Sequence, residues 1–111
     1  MFKITCSVEK QEQSFYLAKV SLEEVEQVAN VLANNLSFDS KNTKPIVLSI
    51  LKIKIAETPL FEYFGVETVS FEPKNEFKHI KDLRQQGFLV GAIYNINEKS
   101  TSFYKFKVIK E

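Results

Sequence analysis

The sequence predicts an α+β fold: a single, mainly antiparallel sheet of about five to six strands with two to three helices packed on one face. Segments in which apolar and polar residues alternate lie near both ends of the chain, which is typical of half-buried strands. Two other segments carry apolar residues at helical spacing together with start and stop signals for a helix. The chain has 111 residues, of which 44% are hydrophobic, so residues 1–111 are expected to form a single domain.

A hairpin is predicted at the start of the chain. Apolar and polar side chains alternate over residues 2–8, which places Cys6 on the apolar face of a strand. Polar residues 9–12 form the expected turn, and a second strand is predicted over residues 14–20. These two strands are antiparallel if they pair as a hairpin.

The first helix is predicted over residues 22–36. Ser21 and Glu24 have the spacing of a capping box, and Val20 and Val25 have the spacing of a hydrophobic staple. Apolar residues then recur at helical spacing, with polar residues between them. This helix has the most complete set of local signals in the chain.

The middle of the chain is predicted to contain a strand, a short helix and a further strand. Residues 37–45 are polar and form the expected loop. Residues 46–55 are apolar on both faces as far as Leu51, which favours a central strand that emerges at one end. Residues 58–64 combine a helix cap, a first-turn proline and a following glycine, which predicts a short helix before a strand at 66–71.

A second helix is predicted over residues 76–86. Asn75 is the expected cap, and Gly87 is placed to end the helix. If Gly87 adopts the left-handed conformation, Leu83 and Phe88 are positioned for the hydrophobic contact of a Schellman end.

The last two elements are predicted to be strands over residues 88–96 and 102–109, joined as a hairpin through residues 97–101. In the final strand, Phe103 shares one face with two lysines, and the opposite face begins with Tyr104. We expect the Tyr104 face to be the core, which would leave Phe103 outside.

Charge and composition limit the classes of partner. The net charge is +1, so no strong overall field directs the chain to nucleic acid, a membrane or acidic ligands. Arg84 is the only arginine, which disfavours sequence-specific DNA recognition. Cys6 is the only cysteine, so no internal disulfide can form, and a cytoplasmic location without membrane insertion is expected.

Local motifs for catalysis are missing from the sequence, so a protein that is not an enzyme and uses no cofactor is expected. His79 is the only histidine, and no glycine-rich phosphate loop or nucleophile elbow accompanies it. Glu76, His79 and Asp82 recur at intervals of three, but such steps drift around a helix, so no metal site is predicted. An enzyme with scattered site residues would leave no local signature; a deep pocket gathering groups such as Glu62 and Glu67 would indicate one.

The favoured hypothesis is a non-enzymatic binding protein that contacts an unidentified protein partner, for example an inhibitor, immunity protein or accessory factor of a phage or mobile element. The support is compositional: a small domain with an open sheet and no evident site. Binding would use a strand at the sheet edge, with residues 1–8 or 102–109 as the expected edges. The other expected binding surface contains Phe38, Phe61, Tyr63 and Phe103.

The alternative hypothesis is a single-stranded nucleic-acid-binding protein that uses lysines and an exposed aromatic side chain on one sheet face. The residues assigned to it are Lys52, Lys54, Phe103, Lys105 and Lys107. Lysines on open faces and edges of sheets also protect against aggregation, which is the simpler explanation of the same pattern. A single lysine patch beside an exposed Phe103 would favour nucleic acid, whereas separated lysines would favour protein binding.

Overall fold

The computed structural model describes residues 1–36, 44–70 and 76–110. In chain order, the elements are β1 (Phe2–Val8), β2 (Gln11–Ala18), α1 (Val25–Asn35), β3 (Ile46–Lys52), β4 (Leu60–Ser70), α2 (Glu76–Gln85), β5 (Leu89–Asn95) and β6 (Ser100–Lys110). The strands form one sheet in the order β3-β1-β2-β4-β6-β5. Neighbouring strands are antiparallel except β2 and β4, so the predicted α+β class with a mainly antiparallel sheet is confirmed.

The predicted cap residues Ser21 and Glu24 contact each other, but α1 begins at Val25, later than the predicted start at residue 22, and Glu24 is its N-cap. The Ser21 hydroxyl accepts a hydrogen bond from the Glu24 backbone N–H at 3.2 Å and lies 2.9 Å from Glu24 Oε1, to which it donates. The second bond therefore uses the serine hydroxyl, whereas a full capping box uses the serine backbone N–H. Regular helix begins at Val25.

The end of α2 is a Schellman motif, as predicted. Gly87 has a φ of +92°, and its N–H donates to the Arg84 carbonyl at 3.0 Å. The N–H of Phe88 donates to the Leu83 carbonyl at 3.2 Å. Both bonds go to carbonyl groups of the last helical turn that lack the usual donor four residues further along.

The two helices pack on opposite faces of the sheet, so the expectation that they share one face is wrong. Gly91 of β5 faces α1, because a Cβ atom at this position would lie 2.6 Å from Asn35 Nδ2. Its neighbour Val90 must face the other side. There Val90 packs in one cluster with Leu83 of α2 and Phe103 of β6.

The main core lies between α1 and the sheet. The two edge strands, β3 and β5, both contact α1, so the sheet curves around this helix. Apolar side chains of α1 form one buried cluster with residues of the strands. The fully buried members with large side chains are Ile4, Phe15, Leu17, Val28, Leu32 and Phe106.

Residues 58–64 do not form the predicted short helix, because β4 begins at Leu60. β4 pairs with β6 along its length and adds a short parallel contact with β2, so long-range pairing overrides the local helix signals. Gly65 does not end a helix either. It has a φ of +100° and lies at the register shift between Tyr63 and Val66, where a β-bulge requires the left-handed conformation that glycine adopts easily.

Candidate functional site

The edge strand β3 exposes an unusual amount of apolar surface. Ile46, Leu48 and Leu51 have 64%, 52% and 55% of their surface accessible to solvent, respectively. An edge strand with exposed apolar side chains is a template for pairing with another chain, and natural proteins normally protect such edges. The prediction of a central strand over residues 46–55 is wrong, because β3 lies at the end of the strand order.

The outer edge of β3 also presents backbone hydrogen-bonding groups. Ile53 N–H donates to the Met1 carbonyl at 3.0 Å, and Leu51 lies opposite Lys3 in the antiparallel register. Because alternate residues of an antiparallel strand bond to the same neighbour, Ile50 and Lys52 direct their N–H and C=O groups away from β1. Within the described residues no strand lies on that side.

A β-bulge interrupts the pairing near the start of β3. Ser49 pairs with Thr5 and Val47 pairs with Cys6, so Leu48 is the additional residue. A bulge of this kind bends the strand and increases its twist. It leaves the Leu48 side chain half exposed.

A groove of about 530 Å³ runs beside β3 on the side of α1. Glu26 and Asn30 of α1 form one wall, and residues 45–50 form the other. An open groove between a helix and a free strand edge accepts a peptide in extended form, because the strand supplies backbone bonds and the groove receives alternate side chains.

Three exposed lysines flank this edge: Lys44 before the strand, Lys52 at its last position and Lys54 beyond it. No ion pair within the described residues involves them. The register places Lys52 opposite Phe2, on the face that α1 covers. We use the term β3 edge for residues 44–54 together with the adjoining groove.

The other edge strand, β5, is less accessible. Both helices contact β5, from opposite faces of the sheet. A strand added to this edge would have to fit between two helices, and covering an edge in this way is one means by which proteins prevent pairing. The segments expected at the edges, residues 1–8 and 102–109, belong to strands inside the sheet, so that expectation is wrong.

The aromatic residues predicted to form a binding surface are mostly in the core. Phe61 packs edge-to-face on Phe15 with ring centroids 6.1 Å apart, and Tyr63 and Phe103 are also buried. The expectation that these three side chains are exposed is wrong, because helices cover both faces of this part of the sheet. Phe38 lies outside the described residues.

The lysines assigned to nucleic acid lie in two separate places. Lys105 and Lys107 are on β6, four strand spacings from Lys52 on β3, which corresponds to about 19 Å. They also face the side of α2, whereas Lys52 faces the side of α1. Lys54 follows β3 and stays at the distant edge. The four lysines therefore do not form one patch.

Lys105 and Lys107 lie beside two aromatic rings, Phe64 and Phe88, which the sequence did not indicate as binding residues. The Nζ atom of Lys107 is 4.9 Å from the ring centroid of Phe88 and 5.3 Å from that of Phe64. The Nζ atom of Lys105 is 5.7 Å from the Phe88 centroid, and the two rings meet edge-to-face at 5.5 Å. Finding this group, the aromatic–lysine patch, requires the pairing of β4 with β6, which no local pattern specifies.

Groups capable of chemistry do not converge in the described part of the chain. Three or more metal-ligating side chains are not found together there. His79 Nε2 lies 3.6 Å from Glu67 Oε2 on the α2 side, whereas Tyr63 lies on the α1 side. Burial raises the pKa of the Cys6 thiol, which disfavours the reactive thiolate. Neither described helix is long and apolar enough to span a membrane.

Comparison with known proteins adds no assignment. No protein-family model, curated protein or solved structure matches the chain. The β3 edge and the aromatic–lysine patch are therefore interpreted from their own geometry.

The Tyr63 hydroxyl gives a test of the core beside β4. It is buried and has no hydrogen-bond partner among the described residues, and burial, with smaller contributions from Glu24 and Tyr104, raises the pKa of Tyr63 from 10 to about 12. Replacing Tyr63 with Phe is expected to raise the free energy of unfolding by about 1 kcal/mol at pH 8, because it removes an unsatisfied polar group. Urea denaturation of both proteins measures this change.

The same substitution is expected to alter the pH dependence of stability. The pKa of Tyr63 is higher in the folded state than in the unfolded state, so its contribution is fully present below pH 10 and is lost as pH rises toward 12. Tyr63→Phe should show a shallower decline than the unaltered chain, and parallel declines would contradict the assignment.

Proposed function

We propose that this chain is a non-enzymatic protein-binding domain that adds an extended segment of a partner protein to the β3 edge. The observation that carries the proposal is the combination of exposed apolar side chains and outward backbone groups on one strand. Partner segments that extend a sheet in this way gain affinity from main-chain hydrogen bonds and specificity from alternate side chains.

The energetics of the β3 edge fit the binding of a partner strand better than the protection of the edge against unwanted pairing. The backbone groups of Ile50 and Lys52 would form hydrogen bonds worth about 1 kcal/mol net each. Covering Ile46, Leu48 and Leu51 would add a further gain of about 25 cal/mol per Å² of apolar surface removed from water. Lysines and a bulge can protect an edge, but a protected edge does not need three exposed apolar side chains between its lysines.

A domain that binds in this way would act as an inhibitor, an immunity protein or an accessory factor of a phage or mobile element. A cytoplasmic location belongs to the same proposal. Its support is the single, buried cysteine, which needs no oxidising compartment.

A photo-crosslinking experiment tests the β3 edge. With p-benzoylphenylalanine in place of Leu48, irradiation in the source cell should yield one discrete crosslinked protein in high yield. The matched control carries the same group in place of Ile96, which is exposed in the turn between β5 and β6. Equal crosslinking from both positions, or none from position 48, would count against the proposal.

A second candidate function is the binding of single-stranded nucleic acid at the aromatic–lysine patch. Its support is that Phe64 is partly exposed and lies beside Lys107, since exposed rings stack on bases and lysines contact phosphates. The patch is small, and Glu62 lies opposite Lys107 in the register, which lowers the local positive charge. This candidate therefore ranks second.

Charge reversal tests the second candidate. Lys105→Glu combined with Lys107→Glu should weaken binding of a fluorescent oligothymidine and reduce the salt dependence of its affinity by about two charge contacts. Fluorescence anisotropy over a range of salt concentrations measures both effects. Binding that is unchanged in the double variant would exclude this patch as the site.

A further inference from the structure

We infer that the partner segment lies antiparallel to β3 and carries acidic residues at its N-terminal end, followed by alternating apolar and neutral residues. This inference rests on the proposed function and adds the chemistry and direction of the segment. It follows from the distribution of charge along the β3 edge.

The β3 edge carries more positive charge at the C-terminal end of β3 than at the N-terminal end, where Lys44 is the only lysine among the described residues. Lys52 and Lys54 are both exposed there, and no ion pair within the described residues neutralises them. Opposite charges on directly paired residues of neighbouring strands attract, and like charges repel. A segment with carboxylates at this end would therefore bind more tightly than one with neutral or basic residues.

The middle of the β3 edge disfavours acidic residues in the central part of the partner segment. Glu26 of α1 lines the groove together with Asn30 and residues 45–50. A carboxylate opposite this part of β3 would face the Glu26 carboxylate, whereas an apolar side chain would contact Val47 or Ile50. The partner segment that fits the β3 edge therefore has acidic residues at one end and uncharged residues in its middle.

The direction of the segment follows from the pairing preference of the sheet. β3 already pairs antiparallel with β1, and antiparallel pairing is slightly more stable per residue than parallel pairing. In an antiparallel partner, the residues opposite Lys52 and Lys54 are the N-terminal ones. The acidic residues therefore precede the apolar residues in the partner's sequence.

Charge opposes a second copy of this chain at the β3 edge in the register centred on Ser49. A symmetric antiparallel pair of β3 strands centred on Ser49 would place Lys44 of one copy opposite Lys54 of the other, and Lys52 opposite Ile46. Two pairs of like charges would then face each other, one at each end of the pairing. In this register the charge pattern favours an acidic partner over self-association.

Synthetic peptides test the inference. The main probe is a fluorescein-labelled peptide with two N-terminal glutamates followed by alternating valine and threonine. Two matched probes carry the glutamates at the C-terminus, or lysines in place of the glutamates. In fluorescence anisotropy, the first peptide should bind about tenfold more tightly than either matched probe.

A charge exchange provides the decisive comparison. Lys52→Glu combined with Lys54→Glu should weaken binding of the glutamate peptide about tenfold and strengthen binding of the lysine peptide by a similar factor. Lys78→Glu combined with Lys81→Glu is the control, because these exposed residues lie on α2, on the opposite face of the sheet, and should leave both affinities unchanged. Circular dichroism verifies that each variant is folded.

Backbone methylation separates this inference from the proposed function. Methylating alternate amides of the glutamate peptide should abolish binding for the set that faces β3 and spare the other set. If methylation has this effect but the three peptides bind equally, pairing at the edge is supported and the inferred acidic, antiparallel segment is overturned. Failure of every peptide to bind, or dimerisation of the chain through β3 in sedimentation experiments, also overturns the inference.

Discussion

Replacing Phe103 with Ala is expected to lower the free energy of unfolding by about 4 kcal/mol. Phe103 is 0% exposed and packs between Val90 on the sheet and Leu83 of α2. Its ring also lies 4.5 Å, centroid to centroid, from the ring of His79 on the same helix. Truncating a buried phenylalanine costs about 3 to 5 kcal/mol, because contacts are lost and the cavity closes only in part. Urea denaturation followed by circular dichroism measures the change.

Phe77 provides the matched control, because it is a phenylalanine on α2 with 74% of its surface exposed. Phe77→Ala should change the free energy of unfolding by less than about 0.5 kcal/mol. A similarly small effect for Phe103→Ala would mean that Phe103 is on the surface, as the sequence analysis expected. Amide hydrogen exchange should also show that α2 opens more readily in the Phe103 variant than in the Phe77 variant.

The burial of Phe103 could not be predicted from the sequence, because the pattern of β6 has no single apolar face. Phe103 alternates with Tyr104 and Phe106, which lie on the α1 side. A strand covered on both faces is apolar on both, and local periodicity cannot then identify which face is the core. The presence of lysines beside Phe103 suggested a solvated face, but these lysines lie farther along β6, beside Phe64 and Phe88.

Elements stabilised by local interactions were predicted well. The start of α1 depends on Ser21 and Glu24, and the end of α2 depends on Gly87, so the interacting groups are within a few residues of one another. The two hairpins also join strands that are adjacent in the chain. In each case, the interacting groups are close together in the sequence, so a local pattern can reveal the interaction.

The candidate site depends on strand order, which is not a local property. Residues 46–51 looked suitable for a central strand, and their apolar character gave no sign that β3 is an edge. The parallel contact of β2 with β4 joins residues about 44 positions apart, as between Tyr16 and Leu60. Pairings of that kind are determined by the packing of the whole domain. The same excess of apolar residues that suggested a buried strand therefore became the strongest indication of a binding surface.

The position of β3 also explains how the domain can offer an apolar edge without losing its own stability. Its inward-facing residues, Val47 and Ile50, pack against the α1 cluster, so the strand is held in place by the core. The bulge at Leu48 and the residues between the lysines then remain free for a partner. Pairing at a rigid edge avoids the entropic cost of ordering the strand when the partner binds.

Gly91 gives the second large effect on stability. Substituting Ala at this position is expected to lower the free energy of unfolding by about 2 to 3 kcal/mol, although alanine usually suits a strand better than glycine. The added Cβ would collide with Val31 Cγ1 and would lie 2.6 Å from Asn35 Nδ2. Val31 is a buried, β-branched residue with little rotamer freedom, and Asn35 Nδ2 donates to the Val31 carbonyl at 2.7 Å. The buried Val31 side chain cannot move away without cost, so α1 itself must shift, whereas the exposed Asn35 amide can rotate away.

A double-mutant cycle isolates this close approach of α1 to β5. Val31→Ala removes one of the two groups that the new Cβ would meet, so Gly91→Ala should cost at least about 1 kcal/mol less in that background than in the unaltered chain. Chemical denaturation of the four proteins gives the coupling energy. Gly65→Ala is a contrasting control, because Gly65 has no atom within 4 Å of the added Cβ, and its cost of about 1 to 2 kcal/mol comes from the positive φ alone. That cost should be the same with Val or Ala at position 31. Additive effects at positions 91 and 31 would show that α1 does not rest on the backbone of β5, and the curvature of the sheet around this helix would then need another cause.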